Sequence, residues 1–204
     1  MTSAISALNG VTWVKAPARN ASSDISQLER LVAEIIADVR SKGDAAVRDY
    51  SARFDKSNLQ EFEVSMADRH AVVAELDPQT RKDTEFAIAN VRRFAEAQLA
   101  TILPLDVETL PGVHMGHRVI PIDRVGCYVP GGRYPLLSAP IMTIVPAKVA
   151  GVREIIACLP PNAHRAMIAG CHLSGADRIF RIGGAQAIAA LAYGTETVPS
   201  VNKI

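Results

Sequence analysis

Val125-Gly-Cys-Tyr-Val129, followed by Pro130-Gly131-Gly132, opens the stretch to Gly194 that decides the fold. Val125 to Val129 is a short apolar, β-prone run, and the proline–glycine turn halts it. A helical pattern covers about 138–150 and stops at Gly151. Glu154-Ile-Ile-Ala-Cys-Leu159 is a second buried strand, ended by Pro160-Pro161. Another helix, over about 163–173, closes on Ser174-Gly175. Arg178-Ile-Phe-Arg-Ile182 is the third strand, and Gly183-Gly184 opens a helix over about 185–192. Strands that alternate with ten-residue helices, and carry no polar/apolar alternation, predict a parallel sheet covered on both faces. Ligands of such sheets bind beyond the carboxyl ends of the strands. Tyr128, the turn at 130–132 and Gln186 all fall there.

Upstream, the pattern is helical. Residues 1–21 are weakly patterned, broken by Pro17 and Asn20, and read as an arm. Ser22-Ser23-Asp24 offers helix caps, and Ile25, Leu28, Val32, Ile35, Ile36 and Val39 recur at helical spacing. Gly43 ends that helix and Asp44 is expected to cap the next, with Val47, Tyr50 and Phe54 inward. Residues 59–64 are a weak strand. Asp77-Pro78 is a cap with proline at the first helical position, opening a helix to about Leu99. Ile88, Val91, Phe94 or Ala95, and Leu99 are its expected buried face. Residues 113–122 alternate loosely, as a strand or hairpin. The expected organisation is α/β: a helical portion over 22–112, then an incomplete Rossmann-like parallel sheet over 113–204. Val201 to Ile204 reads as the start of a fourth strand with nothing behind it, so the sheet is expected to be cut short there.

Composition excludes several classes. The formal net charge is +1, which gives no argument for nucleic acid or a membrane as partner. No apolar run reaches the roughly 18 residues of a membrane helix. Cys127, Cys158 and Cys171 are an odd set at wide spacing, read as reduced core thiols of a cytoplasmic protein.

Few residues carry chemistry on their own. Gly131-Gly132 and Gly183-Gly184 sit at strand-to-helix turns, where backbone amides approach a phosphate, but neither matches G-x-G-x-x-G. Tyr128 either stacks on a ligand or caps a strand end, and Gln186 either bonds a ligand or satisfies a loop carbonyl. His114 and His117, three apart on a strand, point to opposite faces. His164 and His172 lie two turns apart on one helix. No metal-spaced ligand set appears. Lys148, inside an apolar helix, reads as a surface snorkel. Pro146 is expected to kink or split that helix near Thr143.

Three longer motifs carry a resemblance. Arg124-Val-Gly-Cys-Tyr-Val-Pro-Gly-Gly132, Pro146-Ala-Lys-Val-Ala-Gly151 and Gly183-Gly-Ala-Gln-Ala-Ile-Ala-Ala-Leu-Ala-Tyr-Gly-Thr-Glu196 resemble the histidinol dehydrogenase family. Gly43-Asp-Ala-Ala-Val47 and Phe54-Asp55 are similar too, so the likeness covers nearly the whole chain. It implies a homodimeric, zinc- and NAD-dependent enzyme that oxidises a small-molecule alcohol through the aldehyde to the carboxylate. The family's NAD-binding tyrosine and glutamine match Tyr128 and Gln186. Its third NAD contact, its zinc ligands and its proton-moving glutamate–histidine pair would lie beyond residue 204. The chain therefore resembles the family's N-terminal half and alone is expected to be inactive. Arg133 and Tyr134 depart from the histidinol-oxidising pattern and look closer to relatives acting on sulfopropanediol. Arg133 is then the candidate substrate-binding residue, since a guanidinium forks two hydrogen bonds onto a sulfonate or carboxylate. The other function class is a catalytically silent nucleotide-binding or scaffold module.

Overall fold

The computed structural model describes residues 22–131 and 135–204. The decisive stretch folds as expected. Three parallel strands, β3 (Arg124–Tyr128), β4 (Glu154–Leu159) and β5 (Arg178–Arg181), lie in that spatial order. They alternate with helices α5 (Ser138–Val149), α6 (Arg165–Ser174) and α7 (Gly184–Tyr193). Side chains alternate across a strand, and here both faces are covered. Ile156 and Cys158 of β4 enter one core with Val39, Tyr50 and Leu191. Ile155, Ala157 and Leu159 enter the other, with Ile144, Met167 and Cys171. That double burial is why β4 reads as an unbroken apolar run.

The helical portion supplies cover for this sheet. Helices α1 (Ser22–Lys42) and α2 (Asp44–Asp55) pack on α7, while α3 (Met66–Ala74) packs on α6 and α4 (Pro78–Leu99) on α5. In α1 only Ile35 and Val39 of the expected stripe are fully buried, and Ile25 and Leu28 are exposed. Asp77 caps α4 as expected, accepting from the Thr80 N–H at 2.9 Å. The buried residues of α4 are Thr84 and Ala95, whereas Phe94 is 66% exposed. Ala95, not Phe94, is therefore the inward member of that pair.

Two weak strand signals become sheet edges. Residues 62–64 run antiparallel to β5, with Val64 N–H on Ile179 O and Arg181 N–H on Phe62 O, both at 2.8 Å. Residues 202–203 run parallel to β3, through Gly126 N–H on Lys203 O at 2.8 Å and Asn202 N–H on Arg124 O at 2.9 Å. The parallel order is therefore β5, β4, β3, then the 202–203 segment. The chain winds outward from β3 in one direction and returns to its other side, which is a topological switch point at β3.

Three local expectations need correction. Gly43, not Asp44, stands at the N-cap of α2, and it makes no side-chain cap bond. Helix α5 runs unbroken through Pro146; the Thr143 hydroxyl, near the expected break, bonds back to Ala139 O at 3.0 Å. Lys148 does not snorkel free, because its Nζ donates to Asp177 at 2.8 and 3.0 Å. Just upstream of the strand expected over 113–122, β1 (Leu105–Leu110) pairs antiparallel with β2 (Val113–His117) in a hairpin whose strand residues are all exposed.

Candidate functional site

The switch point sits at the carboxyl end of β3, and three turns converge there. Tyr128 is the last residue of β3, Pro160 follows β4, and Gly183-Gly184 joins β5 to α7. The approach is close. A Cβ on Gly131 would stand 2.8 Å from Pro160 Cγ, and one on Gly183 would stand 3.3 Å from Pro160 Cα. Gly184 has φ +60, a conformation that suits glycine. These glycines are therefore required by the packing.

The turn itself is not an open phosphate cradle. The Gly184 N–H, at the α7 N-terminus, is already used by the Tyr128 hydroxyl at 3.1 Å. The Asp55 carboxylate also lies against it, with Oδ1 3.3 Å from where a Gly183 Cβ would be. A carboxylate in that place repels the charge a helix N-terminus attracts. Because the Tyr128 oxygen accepts from Gly184, its own O–H proton is left to donate elsewhere.

Gln186 lies in the first turn of α7, within the core shared with α1 and α2, and is only 1% exposed. Its Nε2 donates to Asp55 Oδ2 at 3.1 Å, and its Oε1 has no hydrogen-bond partner. A buried amide oxygen without a donor costs roughly 1–3 kcal/mol. Such an atom calls for an explanation, and a ligand that supplies the donor is one. The oxygen sits against Gly184, 2.6 Å from where a Cβ would stand, so any side chain there would displace it.

Asp55, at the C-terminal end of α2, is the Gln186 partner that the pattern along the chain does not reveal. Its carboxyl is raised above the usual aspartate range by burial, with the Gln186 hydrogen bond opposing. An acidic residue at a helix C-terminus works against the helix dipole, and that was the available signal. Next to it, Lys56 takes a left-handed conformation at φ 56, and the Asn162 amide donates to Asp55 O at 2.7 Å.

The remaining candidates do not join this site. His114 Nδ1 pairs with Asp106 at 2.9 Å, and His117 Nε2 with Leu103 O at 2.8 Å, both on the exposed hairpin region. His164 caps α6 instead of lying within it, and His172 meets His70 edge-on at 5.3 Å. Among the described residues no group of three or more His, Cys, Asp or Glu is arranged to hold a metal ion. Cys127, Cys158 and Cys171 are buried and free, and burial pushes the Cys127 thiol up to about 11. Arg133 lies outside the described residues. No described helix is long and apolar enough to cross a membrane.

Comparison with known proteins gives the family. The chain is 47% identical over 176 residues to histidinol dehydrogenase homolog 1 of Mesorhizobium japonicum, covering 85% of this chain and 35% of that protein. It is 39% identical over 193 residues to sulfopropanediol 3-dehydrogenase of Ruegeria pomeroyi, covering 93% and 44%. The crystal structure of histidinol dehydrogenase from Elizabethkingia anophelis superposes with a TM-score of 0.84 at 31% identity, over 92% of this chain and 43% of that one. The chain thus spans less than half the length of each. The histidinol dehydrogenase family model matches residues 18–204, and the chain belongs to that family.

Proposed function

We propose that this chain is the NAD-facing N-terminal half of a zinc- and NAD-dependent dehydrogenase that oxidises a small polar alcohol through the aldehyde to the carboxylate. Bound NAD supplies the hydride acceptor for such a reaction. The unpartnered Gln186 Oε1, beside Tyr128 at the switch point, carries the reading. The Tyr128 hydroxyl offers a donor and Gln186 Oε1 an acceptor. A ribose hydroxyl both donates and accepts and so matches this pair, whereas a phosphate only accepts. Because Gln186 is so deeply buried, contact with it requires the Gly183-Gly184 turn to give way.

NAD titration of the full-length enzyme and of its Gln186→Ala variant, with melting temperatures alongside, tests this. Loss of one hydrogen bond of about 0.5–1.5 kcal/mol is expected to weaken affinity severalfold. Equal affinity in the two proteins contradicts the assignment.

Zinc does not fit the described residues, which hold no suitable donor group. In this reading its ligands lie outside these 204 residues, and the isolated chain has no dehydrogenase activity. The dialysed chain is then expected to carry no stoichiometric metal. One zinc per chain in elemental analysis contradicts that.

The substrate is L-histidinol or sulfopropanediol, and Arg133 favours the second, because a sulfonate gains from a guanidinium and a cationic alcohol does not. The full-length enzyme is expected to be a cytoplasmic homodimer that prefers the sulfonate. Arg133→Ala is expected to lower its efficiency with that substrate far more than its affinity for NAD. Good turnover of histidinol with no activity on the sulfonate rules the arginine argument out.

A further inference from the structure

We propose that Asp55 is a positioning residue for the dinucleotide site: its carboxylate holds the Gln186 amide in the one orientation that turns Oε1, and not Nε2, toward the ligand. The inference rests on the reading of Gln186 as a cofactor contact. An amide side chain is nearly symmetric in shape, and which end faces a ligand is decided by what the other end meets. Here one end meets Asp55 Oδ2 at 3.1 Å and the other meets no partner. An ionised carboxylate accepts only, so Nε2 must face it and Oε1 must face away. Asp55 therefore fixes the polarity of the site without touching the cofactor. It selects a ligand group that donates a hydrogen bond at that point.

The location is costly for Asp55 itself. Burial raises its pKa above the ordinary 3.8, so the ionised form is held less well in the folded chain than in the unfolded one. The stability this group lends is present below 3.8 and lost as pH rises through the folded value. At neutral pH the charge opposes folding. A charge kept where it costs stability suits a residue retained for function. It also gives a test in which function and stability move apart.

Asp55→Asn offers either a carbonyl or an amino group to Gln186 and releases the orientation. NAD titration by calorimetry is expected to show about a three- to tenfold rise in Kd, with a melting temperature at or above that of the wild type. The double variant Asp55→Asn/Gln186→Glu restores the polarity, since the asparagine amino group donates to one glutamate oxygen and the other is left as the acceptor. It is expected to recover affinity to within about twofold, whereas Gln186→Glu alone, with two carboxylates opposed, binds more weakly than either. Wild-type affinity in Asp55→Asn overturns the proposal. So does a loss that the double variant fails to recover, which would make Asp55 a direct contact. An Asp55→Asn protein that melts well below the wild type overturns it as well, because Asp55 is then a structural partner. Failure of the full-length wild-type enzyme to bind NAD removes the cofactor reading itself, and is distinguished from these because no variant is needed to see it.

Discussion

A methyl group on Gly126 would stand 2.9 Å from Leu191 Cδ1 and 3.1 Å from Cδ2, so β3 and α7 touch through a position that tolerates only hydrogen. Leu191 is fully buried and cannot swing clear without opening the core. Gly126→Ala is therefore expected to cost about 1–3 kcal/mol, read from urea denaturation. Because α7 carries Gln186, the same change is expected to weaken NAD binding. At this scale the sequence was legible where a residue sits beside a turn: Tyr128 and Gln186 were singled out by their place at strand and helix ends and by the family motif, and the structure brings both to the Gly184 turn. Asp55 was not, because its role depends on α2 reaching Gln186 from 131 positions away. Nor does local pattern distinguish a glutamine that faces a cleft from one packed inside a core.

Helix α2 shows the same limit for a whole element. Its N-cap is Gly43, at φ 55, which has no side chain to cap with. Glu196 supplies the missing acceptor, its Oε2 taking the Asp44 N–H at 2.7 Å, and Thr197 Oγ1 donates to Asp44 Oδ1 at 3.1 Å. The backbone N–H donors, that of Asp44 foremost, hold the Glu196 carboxyl below its usual range. Glu196→Ala is expected to lower the melting temperature and to fray the start of α2, visible as faster amide exchange at Asp44. Unchanged exchange there would make the contact incidental. Helices α5, α6 and α7 were legible because their apolar spacing and glycine stops are local. The β1–β2 hairpin was only half legible, since its strands are exposed on all sides and carry little burial pattern. In α4 both Phe86 and Phe94 face outward, at 70% and 66% exposure, so of the expected alternatives Phe94 and Ala95 it is the smaller side chain that is buried. Such exposed apolar surface is what a subunit or domain contact covers.

Across the whole molecule, the helical portion and the sheet are stitched by charge as well as by apolar packing. Arg178 of β5 and the nearly buried Arg69 of α3 both reach the Glu63 carboxylate. Arg178 chiefly holds the Glu63 pKa below its ordinary 4.5, while burial opposes. A lowered folded pKa contributes stability above 4.5 that is lost as pH falls through the folded value. Glu63→Gln is accordingly expected to flatten the acid limb of the stability curve, measured by urea unfolding from pH 6 downward. An unchanged limb would leave the Glu63–Arg178 pair without a share in acid unfolding. The same edge pairing that brings Glu63 to β5, and Lys203 to β3, completes the strand order that makes β3 the switch point. Entry of NAD at that switch point is open to amide NMR of the labelled chain. On titration with NAD, the largest saturable shifts are expected at the Gly184 backbone amide and the Gln186 side-chain amide, with Tyr128 following. Shifts that gather instead around Gly43 and Glu196, or no saturable shifts at any concentration, would overturn the assignment of the cofactor to this end of the sheet.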